Sequence, residues 1–258
     1  GDKRTLSAHL GEIQVALFEP TDLDMVTGPP DLRRRYLDFI LGQTDKGYLK
    51  TLQAYKRVLR HRNALLEGFD ERAVASQLFA WNLKLTELAM EMVGRRVELL
   101  AALSELVPGL YADIAGSPVG LTMEYLPSVP ADHYGDNFLV ALEKNLRRDL
   151  AAGFTTIGPH REDWRVSFNG SAVGAVASRG ETRTLVLALK LAEMDYLEAR
   201  SGRRPLLLLD DVFSELDHSR RVALLRRLGG RQSVITTTDA DSITHDIVNN
   251  FAIIRTVG

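Results

Sequence analysis

Apolar residues fall into two different rhythms along this chain, and the change between them divides it. Residues 13–18 (Ile-Gln-Val-Ala-Leu-Phe) read as a strand closed by Glu19-Pro20. Gly28-Pro29-Pro30 punctuates the chain, and Asp31 is placed to cap a helix beginning near Leu32. From there to about Leu150 the pattern is helical almost throughout: Tyr48, Leu52, Tyr55, Val58 and Leu59 recur at helical spacing, as do Leu78, Trp81, Leu85, Leu88 and Met92. Pro108-Gly109 and the stretch 116–130 are expected to break this run into separate helices.

After Gly153 the rhythm changes. Trp164, Val166 and Phe168 alternate, and Asn169-Gly170 supplies a hairpin turn. A helix over 181–199 is apolar on most faces, which predicts burial. Residues 206–209, four leucines, predict a short strand of the fully buried kind. Asp217 is placed to cap an amphipathic helix carrying Val222, Leu224, Leu225 and Leu228, and strands are expected over 233–237 and 251–257. Strands at both ends thus flank a helical middle. The expected fold is α/β, with the two ends joined in one sheet and a large helical lobe inserted between them. The expected organisation is 1–24 as the end of the first sheet-bearing part, 25–150 as the helical lobe and 151–258 as the returning part.

Composition narrows the function only a little. The 258 residues are 45% hydrophobic and 26% charged, and a core of ordinary size is affordable at this length. A net charge of −2 excludes a histone-like electrostatic binder, although a local basic face on a neutral whole still permits nucleic acid. With no cysteine, disulfides and thiolate metal sites are excluded, and no histidine pair has metal-ligand spacing. No apolar run approaches membrane-spanning length, and the start, Gly1-Asp2-Lys3-Arg4, lacks a signal-peptide pattern, so a cytoplasmic location is expected. That start, without an initiating methionine, reads as the cut edge of a longer polypeptide.

The residues with the clearest chemistry follow the leucine run. Asp210 and Asp211 end a buried strand, the Walker B arrangement of P-loop ATPases, in which one carboxylate holds Mg²⁺ and the next orients the attacking water. Two solvated aspartates ending a strand would look the same. Ser214-Glu215-Leu216-Asp217, directly after the acidic pair, matches the D-loop of ABC ATPases. Upstream, Ser178-Arg179-Gly180-Glu181 opens the buried helix in the manner of the ABC signature loop. There a serine hydroxyl and a glycine N–H at a helix N-terminus can seat a γ-phosphate, although Ser178 is equally a good N-cap. The order signature, buried helix, Walker B, D-loop is far more specific than any of its parts.

Nearly the whole chain, from about Leu10 onward, resembles the RecF family of ABC-class DNA-repair ATPases. The residues that carry the resemblance are Thr155 to Asp163 (TTIGPHRED), Ala177 to Thr184 (ASRGETRT), the helix continuing through Leu187 to Glu193, Leu17 to Leu23 (LFEPTDL) and Pro30 to Asp38. Arg179 and Thr182 stand where the family signature has glutamines. The resemblance implies an ABC-ATPase-type head, with ATP and Mg²⁺ as cofactors and an ATP-dependent head-to-head homodimer. It also implies DNA binding in replication, repair and the SOS response, and cooperation with RecO and RecR in loading RecA at gapped DNA. In such a dimer Ser178, Gly180 and Glu181 would face the partner's nucleotide. Asp210 would hold Mg²⁺ through water, and Asp211 would act as the base. Ser214 and Asp217 would form the D-loop, Thr237 and Thr238 the switch, and Glu19 and Asp22 a Q-loop-like turn. A threonine-rich strand end and a proline turn would account for the last two sets equally well.

One part of that machine is absent from the sequence: no G-x-x-x-x-G-K-[ST] stretch occurs anywhere. The chain is therefore expected to lack the main phosphate cradle and to be inactive alone as an ATPase, with no nucleotide bound. Basic residues concentrate at Arg33, Arg34, Arg35, Lys46, Lys50, Lys56, Arg57, Arg60 and Arg62, several at helical spacing. Of these, Lys56, Arg57, Arg60 and Arg62 are candidate DNA contacts, against the plainer reading of a solvated helix face. His160 and Arg161 either bind phosphate or tie lobes together. Two rival readings remain, a head fragment of another SMC-like ABC ATPase and a non-catalytic interaction module.

Overall fold

A computed structural model describes residues 13–67, 71–212, 216–228 and 231–237. In chain order, β1 (Val15–Phe18) leads through a 3₁₀ turn, Pro20–Asp22, into α1 (Leu23–Thr27), α2 (Pro30–Thr44), α3 (Lys46–Leu66) and α4 (Glu71–Ala115). Then come β2 (Leu121–Leu126), α5 (Tyr134–Lys144), α6 (Leu146–Ala152), β3 (Asp163–Phe168), β4 (Ser171–Ala172) and α7 (Val173–Val176). The chain continues through α8 (Arg179–Ser201), β5 (Leu206–Asp210), α9 (His218–Leu228) and β6 (Ser233–Thr236).

The strands from the two ends do join. β5 runs parallel between β1 and β6, with Leu17 opposite Leu208 and Asp210 opposite Thr236. This sheet packs on α8, where Leu185, Leu189 and Leu197 are fully buried. Burying each leucine is worth about 1.5–3 kcal/mol. The leucine strand is not buried on both faces as expected. Leu207 and Leu209 are buried, while Leu206 and Leu208 are only half-buried, because α8 covers one face of the pleat. The strand expected over 251–257 lies outside the described residues.

The hairpin strands do not enter that sheet. β3 pairs antiparallel with β4 and with β2, a strand that the sequence reading missed inside the stretch expected only to break helices. Asn169 (φ 48°) and Gly170 (φ 83°) are both left-handed, as a two-residue hairpin turn requires. Trp164 is fully buried from this sheet and donates its indole N–H to the Arg33 carbonyl at 2.9 Å, fastening the small sheet to α2.

Two helix boundaries also differ from expectation. α2 starts at Pro30 with Pro29 as N-cap, so Asp31 sits in the first turn; a proline at N1 loses no hydrogen bond there and has its φ preset. More consequentially, α4 passes through Pro108 without ending and stops only at Gly116, whose φ of 73° closes it. Leu103, Val107 and Leu110 around the proline are buried against the core, and that packing offsets the lost backbone bond. The result is a 45-residue rod, about 68 Å long. One hydrophobic core runs from it through α2, α3 and α8.

Candidate functional site

Three strand ends lie at the same edge of the parallel sheet. They are the C-terminal ends of β1, β5 and β6, the edge at which open α/β sheets bind ligands. Asp210 ends β5 with its side chain exposed, and its Oδ1 accepts from the Thr236 hydroxyl at 2.5 Å. Asp211 turns left-handed (φ 47°), and its N–H donates to the Thr236 hydroxyl at 3.1 Å and the Thr236 carbonyl at 3.2 Å. Aspartate tolerates this conformation better than most residues. Thr236 therefore holds the Asp210 carboxylate and the Asp211 backbone. Of the expected switch residues, Thr237 is half-buried and Thr238 lies outside the described residues. The usable signal was register: Thr236 is the residue paired with Asp210 across the sheet.

The residues present fit a Mg²⁺ ion in one respect, since Asp210 offers an exposed carboxylate oxygen, the hard ligand that Mg²⁺ takes alongside its waters.

On the β1 side, Glu19 and Asp22 cap the 3₁₀ turn reciprocally, and the Glu19 N–H donates to Asp22 Oδ2 at 2.8 Å. Asp22 Oδ1 lies 3.4 Å from the Lys190 ammonium on α8, which in turn lies 3.4 Å from Glu193. Glu193 is fully buried, and burial pushes its carboxyl up to about 7 against the lowering pull of Lys190. Tyr36 adds its ring 5.5 Å from that ammonium and donates its hydroxyl to the Leu189 carbonyl. Two charged residues within the apolar middle of α8 were the sequence signal for this link, which ties the turn after β1 to α8.

Ser178 is the N-cap of α8, and with Glu181 it forms a capping box: the Ser178 N–H donates to Glu181 Oε2 at 2.7 Å, and the Glu181 N–H donates to Ser178 Oγ at 3.3 Å. These bonds from Ser178 hold the Glu181 carboxyl below its ordinary range. Gly180 follows at the exposed helix start. A Cβ there would meet the Arg220 guanidinium at 3.6 Å, ordinary contact distance. Asp217 caps α9 by accepting from the Arg220 N–H at 3.0 Å and the Ser219 hydroxyl at 2.8 Å, and both depress its carboxyl. The Arg220 guanidinium also pairs with Asp217 and donates to the Thr184 hydroxyl at 2.7 Å, while Thr184 donates to the Gly180 carbonyl at 2.9 Å. Arg220, unnoticed in the sequence, joins Asp217 to α8. Ser214 lies outside the described residues.

The basic candidates separate cleanly. Lys56, Arg57 and Arg60 are exposed on α3. Arg62 is fully buried and cannot meet DNA. Its guanidinium donates to Asp149 at 2.8 Å, Asn82 at 2.9 Å and Thr155 at 2.6 Å. Arg33 is likewise committed, in a bidentate pair with Asp163 at 2.7 and 2.8 Å. His160 is a structural residue here. Its Nε2 faces the Thr155 carbonyl at 3.0 Å and must carry the proton, so Nδ1 accepts from the Tyr55 hydroxyl at 2.8 Å. Burial lowers its pKa to about 4. Among the described residues no group of His, Cys, Asp and Glu is arranged to hold a metal by itself, and no helix is long and apolar enough to cross a membrane.

No family model matches the chain. Among curated proteins it is 39% identical over 245 residues to the DNA replication and repair protein RecF of Herpetosiphon aurantiacus, covering 93% of this chain and 63% of that protein. It is 35% identical over 264 residues to RecF of Staphylococcus aureus, covering 98% of this chain and 71% of that protein. The chain thus spans about two thirds of the length of these relatives. Two solved structures of the recombination mediator protein RecF in the RecFOR pathway, one described with ATPrS and one with ATP, superpose with TM-scores of 0.84 and 0.81. Their sequence identities are 33% and 34%; they cover 93% and 90% of this chain, which spans 66% and 64% of theirs. On this identity and coverage, and with this ABC-ATPase-type sheet and helical lobe, the chain belongs to the RecF family.

Proposed function

We propose that this chain is the larger part of an ATP-dependent DNA-binding protein of recombinational repair, working with RecO and RecR to help load RecA at gapped DNA. The observation that carries the reading is the convergence of Asp210, Asp211 and Thr236 with the Glu19–Asp22 turn at one edge of the parallel sheet. In this reading ATP and Mg²⁺ bind there, Asp210 holds the ion through water and Asp211 orients the attacking water. Ser178, Gly180 and Glu181 serve the nucleotide of a second copy in a head-to-head dimer. Their position at a helix N-terminus, with Ser178 exposed, suits a phosphate, because the positive end of the helix attracts anions. The Asp22–Lys190–Glu193 and Asp217–Arg220–Thr184 links would relay the state of one loop to the other. Exposed Lys56, Arg57 and Arg60 supply attraction for DNA that does not depend on its sequence.

The sequence contains no phosphate loop, so this chain by itself is expected to hydrolyse ATP no faster than background. Joined to a phosphate-loop segment, it should turn over ATP and dimerise with it. Asp211→Asn should then abolish turnover while sparing binding. Turnover by the unextended chain that Asp211→Asn removes, or an extended chain with no response to ATP, would overturn the reading. The missing phosphate loop is the one observation that favours a non-catalytic interaction module, and the second outcome is what that reading predicts.

A further inference from the structure

A cleft of about 170 Å³ opens between α2, α3 and the loop before β3, well below the ~300 Å³ at which small-molecule pockets begin. Its charged lining comprises Arg34, Arg35, Lys56 and Arg96 against Asp31 and Asp38, and its apolar floor includes Leu52 and Leu59. The carboxylates are already engaged. Asp31 pairs with Arg35 at 3.1 Å, and Asp38 accepts from Arg96 at 2.8 Å and from the Tyr48 hydroxyl. Arg96 is further held by the Pro159 carbonyl at 2.7 Å. Two cations are left over. Lys56 is exposed and makes no hydrogen bond or ion pair among the described residues. Arg34 uses one Nη on the Glu162 carbonyl at 2.9 Å and pairs with no carboxylate. Burial and then the Arg96 charge work against the Arg34 charge more than the Asp163 and Asp31 carboxylates support it, so Arg34 lacks a full counter-charge that an anion would supply.

The surroundings indicate what kind of anion. Arg57 and Arg60 continue the cationic surface along α3, and the Arg161 guanidinium lies 4.7 Å over the centre of the exposed Phe154 ring. A cleft that admits one phosphate, set in a basic surface with an aromatic ring, suits a polyanion better than a free metabolite. We propose that this cleft seats a single backbone phosphate of nucleic acid, gripped by Lys56 and Arg34. The proposal rests on the DNA-binding part of the reading above and assigns it a defined seat. A merely charged helix face would spread contacts evenly over Lys56, Arg57 and Arg60; a seat concentrates them on the cleft side of α3.

The test is fluorescence anisotropy of the full chain with labelled duplexes of unrelated sequence, titrated from about 50 to 200 mM salt. Lys56→Gln, which removes no contact from the fold, should weaken binding about ten-fold at low salt and flatten the slope of log K against log salt by about 0.9, one phosphate's worth. Lys56→Arg should restore most of the affinity, and Arg34→Gln should match Lys56→Gln. Arg57→Gln should cost about three-fold or less, and Lys84→Gln on α4 nothing. Millimolar inorganic phosphate should compete with DNA for the wild type but not for Lys56→Gln. Equal losses from Lys56→Gln and Arg57→Gln, or an unchanged salt slope, would overturn the seat and leave DNA binding standing. If inorganic phosphate broadens its ³¹P signal with the wild type while DNA does not bind, the cleft serves a free anion and the proposal is wrong. The ATP response of the extended chain is unaffected by any of these outcomes, so the two readings fail separately.

Discussion

The interior of the helical lobe and the C-terminal edge of the parallel sheet use similar residues to opposite ends. In the lobe, Glu162 is 3% exposed and accepts four hydrogen bonds, from the hydroxyls of Tyr125, Ser128 and Tyr134 and from the Ser128 N–H. Arg62 and Asp149 are both fully buried, and Asp149 Oδ1 also accepts from the Thr156 N–H and hydroxyl. At the sheet edge Asp210 is exposed with one protein partner, and at the start of α8 Ser178 and Glu181 chiefly cap one another. Glu162 and Asp149 have their oxygens engaged, and Arg62 spends Nε and Nη1 on three partners while its Nη2 stays buried without one, so this set is committed to holding the structure. The second set keeps capacity in reserve for a ligand. The difference sorts charged residues by role where residue type does not.

The comparison predicts a gradient of stability effects. Arg62→Ala should be the most damaging change, on the order of 3–5 kcal/mol, because it strands the buried Asp149 carboxylate. Urea unfolding followed by circular dichroism measures this, and a loss below about 1 kcal/mol would mean that the lobe interior is not organised around that pair.

His160 should rank next and reveal itself through pH. Its folded pKa of about 4 is depressed from the ordinary 6.5, so the stability it contributes is fully present above about pH 6.5. That contribution should be lost as pH falls toward 4, at a cost of roughly 3 kcal/mol. Across that window the unfolding free energy of His160→Gln should fall less steeply than that of the wild type. Parallel curves would show that His160 does not stay neutral in the fold.

At the start of α8 and at the sheet edge the effects shrink. Ser178→Ala removes a helix cap and should cost about 1 kcal/mol, readable as a small shift of the urea midpoint. Asp210→Asn should change stability by no more than about 0.5 kcal/mol, since the exposed side chain keeps an oxygen for Thr236. A large destabilisation by this last change would erase the distinction between the two regions.

Much of this was legible along the chain. The signature, buried helix and acidic pair occur in order, and Asn169-Gly170 specified its own hairpin. The links between motifs were not legible. Lys190 and Glu193 stand out within the apolar middle of α8, yet nothing nearby in sequence names Asp22 as their partner. Arg220 reads as one more basic residue on an amphipathic helix until Thr184, 36 residues upstream, is brought to it.

What the amino-acid sequence determined by itself was local: the periodicities that make helices and strands, the left-handed turn at Asn169-Gly170, the caps at Ser178 and Asp217, and the family. Those follow from sterics and hydrogen bonds within a few residues. Tertiary structure alone decided that α4 continues through Pro108, that residues 121–126 pair with β3, and that the leucine strand is covered on one face. It also decided that Arg62 is structural while Lys56 is free. Arg62 meets Asp149 across 87 residues, and Arg33 meets Asp163 across 130. The desolvation that makes such a pair structural arises only when the chain brings both groups into the same water-free space.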